Sequence, residues 1–298
     1  MDLKRTLVDL MPAPFVRFVA APYVAGKSLA VEVAKVDQLQ KDYGLHSTVD
    51  LLGEEVFKRE DVEATVAIYL RIIEAVKDRP YASISLKPTQ LGLNESEDYA
   101  HANLRRVVGA AAVHGIHITV DMEDHTFTDA TLRIFKKLRD EFDNVGIVLQ
   151  SRLFRTEEDI RNLHTKPCKV RICIGIYREP AEVALQEKPD MKAKLFEYVG
   201  LLLDLGHYPE IATHDEPLVR RCLDYLKQRG VPQGQFEFQM LLGVPRTALQ
   251  QEIVKKGHVM RLYVPFAEEW QYAIHYLKRR LAANPMMAMY VLKNLFSR

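Results

Sequence analysis

The chain of 298 residues is poor in cysteine, carries almost no net charge and has no long unbroken apolar run. Its three cysteines, Cys168, Cys173 and Cys222, are odd in number and show no metal-ligand spacing. This argues against a disulfide scaffold and a cysteine-built zinc site, and fits a reduced, cytoplasmic protein. Lys plus Arg total 41 against 40 Asp plus Glu, a net charge of +1. A nucleic-acid partner, which calls for a basic face, is therefore not expected. The apolar segment Met11–Gly26 is interrupted by Arg17 and broken by Pro12, Pro14 and Pro22, so it fits neither a bilayer span nor a signal peptide. Missing too are a G-x-G-x-x-G after a strand, a phosphate-cradling G-x-x-x-x-G-K-[ST] and a convincing Ser/His/Asp set. His214 and Asp215 adjoin, but no second histidine has matching spacing, and no metal is expected.

What is present is an alternation. Eight short, largely apolar runs read as strands: His46–Leu52, Tyr81–Lys87, His117–Met122, Val145–Ser151, Lys169–Ile176, Glu210–His214, Phe236–Leu242 and His258–Val264. Near-continuous apolar runs suit parallel strands buried on both faces. Amphipathic stretches lie between nearly all of them: Lys27–Tyr43, Glu60–Lys77, Asp98–His114, Thr128–Phe142, Thr156–Asn162, Met191–Leu205, Pro217–Arg229 and Thr247–Lys256. Thr128 and Thr156 read as helix N-caps, and Gly44, Gly115, Gly206, Gly230 and Gly257 as helix stops. Two more helices are expected over roughly Glu268–Ala282 and Pro285–Phe296. The pattern predicts an α/β fold, a parallel (β/α)8 TIM-type barrel in a single domain over 1–298, with a helical arm at 1–45 and the barrel at 46–298. An open doubly wound sheet is the competing architecture.

In such a barrel the active site lies at the C-terminal strand ends. Polar and charged residues recur there: Lys87, Asp121 with Glu123, Gln150 with Arg152, Gly175-Ile176-Tyr177, Thr213-His214-Asp215, then Glu237, Gln239 and Leu241 on the seventh run and Arg261 and Tyr263 on the eighth. Charges are costly to bury unless paired or used, so their recurrence at one end of apolar strands predicts a functional mouth. Lys87 and Asp121, on neighbouring strands, are expected to pair and hold the lysine charged as a carboxylate anchor. Arg279 and Arg280 lie on a helix with Tyr276 one turn earlier. A basic run is ordinarily a solvated face. Beside a tyrosine, though, it can clamp a small carboxylate while the ring covers the apolar part.

The motifs Ser-Leu-Lys-Pro-Thr-Gln-Leu-Gly, Val-Asp-Met-Glu-Asp, Gly-Ile-Val-Leu-Gln, Val-Arg-Ile-Cys-Ile-Gly-Ile-Tyr, Ala-Thr-His-Asp, Phe-Glu-Phe-Gln-Met-Leu-Leu-Gly and Tyr-Leu-Lys-Arg-Arg-Leu stand in this order. Together they resemble proline dehydrogenase, in its short monofunctional bacterial form, from about Asp50 to the final helix. The resemblance implies a distorted barrel with extra N-terminal helices and a final helix over its mouth. It also implies FAD, held without a Rossmann fold, as hydride acceptor in the oxidation of L-proline to Δ1-pyrroline-5-carboxylate. By the same resemblance Lys87, Arg279 and Arg280 bind the proline carboxylate, and Tyr263, Tyr276 and Leu241 wall the ring. Asp121 and Arg171 are active-site residues, Arg171 near the flavin. Met122, Gln150, Ile174, Gly175, Ile176, Thr213 and His214 contact the flavin, and Glu237 lines the same pocket. Implied partners are a membrane quinone and a pyrroline-5-carboxylate dehydrogenase, with peripheral association at the inner face of the cell membrane.

Three positions depart from the family pattern. Ile174 stands where a flavin-contacting lysine is usual, Ile176 where a small alanine is usual, and Ala283 where a glutamate normally gates the site. They leave open a degenerate barrel that binds flavin or an imino acid with little turnover. A Schiff-base aldolase using Lys87 is the remaining alternative.

Overall fold

The computed structural model describes residues 23, 24, 26, 28–53, 56–268 and 278. Eight strands close a parallel barrel in sequence order: β1 (His46–Leu51), β2 (Ala82–Leu86), β3 (Ile118–Val120), β4 (Val145–Gln150), β5 (Lys169–Cys173), β6 (Tyr208–Ala212), β7 (Glu237–Leu241) and β8 (Val259–Phe266). Helix α1 (Leu29–Tyr43) precedes β1, and α2 (Arg59–Val76), α3 (Glu97–Val113), α4 (Thr128–Glu141), α5 (Thr156–Arg161), α6 (Lys188–Asp204), α7 (Glu216–Gln228) and α8 (Thr247–Lys255) connect successive strands. Strand β1 pairs β8 from His46↔Arg261 to Leu51↔Phe266, which closes the sheet and rules out the open doubly wound alternative.

Helix α1 starts because the Ser28 side chain accepts from the Val31 N–H. It stops at Gly44, whose φ of 66° is the left-handed cap conformation. It packs on both β1 and β8 and so covers the closing seam of the barrel. Two expected caps are corrected. Thr128 is already inside α4, following a single turn whose Asp124 accepts from Thr126 N. Thr156 is inside α5, and its hydroxyl donates 2.6 Å to the Gln150 carbonyl instead. The loop after β5 is pinned: Phe154 N donates to Val183 O, Leu185 N to Arg152 O, and buried Glu179 accepts from His125.

The strands alternate between two unlike faces. Outward positions such as Val49, Ile84, Val120, Ile147, Ile172, Phe238 and Leu262 are buried under the helices and supply the main core. Inward positions are largely polar: Thr48 and Asp50, Ser83 and Ser85, Thr119, Arg171, Glu210, Glu237 and Gln239, and Arg261 are all buried. A barrel interior is ordinarily filled by bulky branched side chains. Here cross-strand polar bonds fill it, among them Thr48 to Ser83 at 2.9 Å and Arg171 to Gln239 at 2.6 Å.

Strand ends shift against expectation in two places that matter. Strand β5 ends at Cys173, so Ile174, Gly175 and Ile176 lie in the following turn, where Gly175 has φ 86°. Strand β6 runs Tyr208–Ala212, so Thr213 and His214 also lie past the strand. Most of the two expected C-terminal helices, with Tyr276, Arg279, Arg280 and Ala283, and most of the N-terminal arm before Ser28, lie outside the described residues.

Candidate active site

Register brings three charged residues to one end of the barrel. Asp50 lies opposite Ser85 between β1 and β2, Lys87 follows β2, and Asp121 follows β3. Lys87 Nζ donates 2.6 Å to Asp50 Oδ1, while Asp121 Oδ2 is 3.6 Å away. The expected Lys87–Asp121 pair is thus secondary, and Asp50 is the main partner. Burial alone would lower the Lys87 pKa, but Asp50, Tyr263 and Asp121 outweigh it and hold the ammonium well above its ordinary value. Burial raises the Asp50 carboxyl, and Lys87 opposes that rise. Asp50 Oδ2 is buried without a hydrogen-bond partner.

Asp121 is a hub. Its Oδ1 accepts from Ser85 Oγ at 2.5 Å and Arg171 Nη1 at 2.9 Å, and its Oδ2 accepts from Tyr263 Oη at 2.8 Å. A carboxylate so fully engaged holds its neighbours in place. Arg171, deep on β5, also donates through Nη1 to Ser85 Oγ at 3.0 Å and through Nε to Gln239 Oε1. Its guanidinium carbon lies 5.1 Å from the Tyr263 ring centroid. Burial works against its charge, but Asp121 and Glu210 raise its pKa further. Its Nη2 is buried and has no hydrogen-bond partner.

The next feature is a cradle. Gln150 Nε2 donates 2.6 Å to the Glu123 carbonyl, which leaves Gln150 Oε1 buried and unpartnered. A Cβ on Gly175 would lie 2.1 Å from that oxygen, so only glycine admits the close approach of this turn. Met122 is buried beside Glu123, and Glu123 is fixed by Thr89 through N at 3.0 Å and Oγ1 at 2.6 Å. Leu241 and Tyr263 end the cross-strand register of β7 with β8 and are half-buried. Ile174 is half-buried and Ile176 exposed. His214 Nε2 accepts from Leu241 N at 2.9 Å, and Thr213 Oγ1 accepts from Asp215 N at 3.2 Å. Asp215 caps α7: its oxygens accept from Leu218 N and Lys192 Nζ.

Glu237 belongs elsewhere. It begins β7 opposite Val259, four residues before Leu241, and takes the fork of Arg261 through Nε at 2.6 Å and Nη2 at 3.2 Å. Both residues sit at the floor of the barrel, below the mouth to which the sequence reading assigned them. Sequence reasoning missed Asp50, Ser85 and Glu210 as members of the interior network, and set Gln239 at the mouth although it sits mid-strand. Asp50 carried the same signal as Lys87 and Asp121, a charge ending an apolar strand; Ser85 and Glu210 sit inside their strands and needed the register.

A family model described as Proline dehydrogenase matches residues 33–177 and 176–291. The chain belongs to the proline dehydrogenase family. It is 33% identical over 299 residues to Proline dehydrogenase 1 of Bacillus subtilis (strain 168), covering 100% of this chain and 97% of that relative. It is 35% identical over 282 residues to Proline dehydrogenase of Deinococcus radiodurans, covering 93% and 89%. The fold matches the crystal structure of proline utilization A from Bdellovibrio bacteriovorus with a TM-score of 0.81 at 24% identity, over 88% of this chain. The chain spans about a third of that longer protein. Among the described residues no helix is long and apolar enough to cross a membrane.

Proposed function

We propose that this chain oxidises L-proline to Δ1-pyrroline-5-carboxylate in proline catabolism, with FAD as hydride acceptor and a membrane quinone taking the electrons onward. Family membership supports the reaction, since the relatives are named for it. The observation that carries the reading is a pair among the unpartnered buried polar atoms, the donor Arg171 Nη2 and the acceptor Gln150 Oε1. Buried polar atoms are rarely left unpaired, so an unpartnered donor and an unpartnered acceptor, the acceptor lying against the Gly175 turn, fit a ligand carrying both. The edge of a flavin ring carries both.

FAD, when bound, supplies the hydride acceptor. Arg171, Gln150 and Gly175 would hold its ring, and Met122, Ile174, Ile176, Thr213 and His214 would line it. The rest of the work falls to the protein. Lys87, kept charged by Asp50 and Asp121, anchors the substrate carboxylate, with Arg279 and Arg280 assigned to the same carboxylate by the family motif. Tyr263, fixed by Asp121, and Leu241 wall the pyrrolidine ring, with Tyr276 assigned by motif. The reaction removes a hydride from C5 and a proton from the ring nitrogen. The buried Arg171 cation favours the negative charge that the hydride carries into the site. The imine product opens in water to an aldehyde, which a pyrroline-5-carboxylate dehydrogenase would consume. Association with the inner face of the cell membrane would bring the site to the quinone.

The aldolase alternative loses ground because two carboxylates, of Asp50 and Asp121, flank the Lys87 ammonium. A Schiff-base lysine must give up its proton, and the carboxylates around Lys87 raise its pKa. Anaerobic titration of the purified protein with L-proline, followed at the flavin absorbance band, tests the proposal. Bleaching at about one proline per flavin is expected. A colourless protein that gains no flavin would overturn it, and flavin that proline leaves oxidised would favour the binding-only barrel.

A further inference from the structure

Gln239 is a neutral bridge between two charges low in the barrel interior. Gln239, mid-strand on β7, donates from Nε2 to Glu237 Oε1 at 2.7 Å and accepts at Oε1 from Arg171 Nε at 2.6 Å. Each end has a single compatible partner. Glu237 is held at about 2: burial would raise it, but Arg261, Lys169 and Gln239 outweigh burial, so it is ionised and can only accept. Arg171 is buried and charged, so it can only donate. The amide therefore has one orientation, because a flip would set donor against donor and oxygen against oxygen. Behind it, Arg261 anchors Glu237 to the floor. Its Nε and Nη2 fork the carboxylate, and its Nη1 donates to Ser47 O at 3.0 Å and Ser83 Oγ at 3.2 Å.

We infer that Gln239 is a positioning residue that transmits this fixed floor to Arg171 and so sets which edge of the guanidinium meets the ligand. Of the arginine's donor atoms, Nε is taken by Gln239 and Nη1 by Ser85 and Asp121. Only Nη2 remains without a partner, at the mouth. Without the Nε contact, the guanidinium can turn about its own chain while keeping Asp121. Nη2 is then no longer the sole free edge. Gln239 itself touches no ligand, being buried two residues below the strand end.

Two readouts test this, and neither depends on turnover. The first uses the ligand-free protein and through-bond assignment of the arginine Nε–H signals. In the wild type the Arg171 Nε–H is expected to exchange with water at least about a hundredfold more slowly than that of exposed Arg59. Comparable exchange would overturn the inference without any variant. In Gln239→Leu the protected signal is expected to vanish. An unchanged Arg171 signal in Gln239→Leu would also overturn it. The second readout is FAD affinity, expected to weaken about tenfold in Gln239→Leu, the loss of one net hydrogen bond to a charged group. This arm rests on the proposed flavin site. If the wild type binds no FAD, that site fails, and the exchange measurement still decides the role of Gln239.

Discussion

Two buried arginine–carboxylate pairs share the interior of this barrel, and they are not alike. At the floor, Arg261 has partners at Nε, Nη1 and Nη2, and both Glu237 oxygens accept from it. At the mouth, Arg171 pairs with Asp121 but keeps Nη2 unpartnered, with Gln150 Oε1 and Asp50 Oδ2 also unpartnered at the same end. The same chemistry thus serves two ends. A closed pair spends every donor on the protein and secures the fold, while an open pair reserves a donor for something that arrives later. Charge burial does not distinguish the two arginines; the unpartnered Nη2 of Arg171 does.

The comparison breaks most sharply under charge removal. Arg261→Met leaves Glu237 buried among Lys169 and Gln239 without its fork. Removing one partner of a buried pair costs about 3–5 kcal/mol, and urea unfolding of the ligand-free protein should show a loss of that size. Arg171→Met should cost clearly less, because Asp121 keeps Ser85, Tyr263 and Lys87. Its effect belongs to activity, a drop of roughly a hundred- to thousandfold in proline kcat/KM. Equal stability losses in the two variants would erase the distinction between floor and mouth.

A smaller change sharpens the open end. Gly175→Ala places a methyl 2.1 Å from Gln150 Oε1 at a backbone φ of 86°. The left-handed strain is about 1–2 kcal/mol, and Gln150 must also move. Weaker FAD binding is expected, by roughly tenfold, with stability lowered by about that strain energy. Unaltered flavin affinity would remove Gly175 and Gln150 from the cradle.

These distinctions were only partly legible in the sequence. The strands could be read because their outward residues form apolar runs, and the closure followed from eight such units. Which level of the barrel a polar residue occupies could not be read. Glu237 and Leu241 point the same way on one strand and looked like one pocket, yet four residues separate them by roughly 13 Å at about 3.3 Å per residue. Lys87 and Asp121 follow β2 and β3 at one end of the barrel. Their order of pairing could not be read, because whether Asp50 or Asp121 lies nearer to Nζ depends on the β1–β2 register and not on adjacency of strands. Ile174, Gly175 and Ile176 continued an apolar run, and only the positive φ of Gly175 reveals that the chain has already turned.

Outside the barrel wall, Glu32 gives the comparison its weakest but cleanest test. It lies in the first turn of α1, fully buried, and neither carboxylate oxygen has a hydrogen-bond partner. Burial, and then the charge of Asp50, push its pKa well above the ordinary value. A raised folded-state pKa means that the native protein binds a proton more tightly than the unfolded chain does. The stability this confers is complete below the unfolded value, about 4.3, and is lost as pH rises from there through the folded value. Over that window the group can contribute a slope of up to about 1.4 kcal/mol per pH unit. Glu32→Gln removes the titration, so the stability of the variant should fall less steeply with pH above about 4.3 than that of the wild type. Urea midpoints measured from acid to neutral pH would show the two curves diverging on that side. Parallel curves would mean that Glu32 finds a partner in solution, and that an unpartnered buried carboxylate need not await a ligand or a proton.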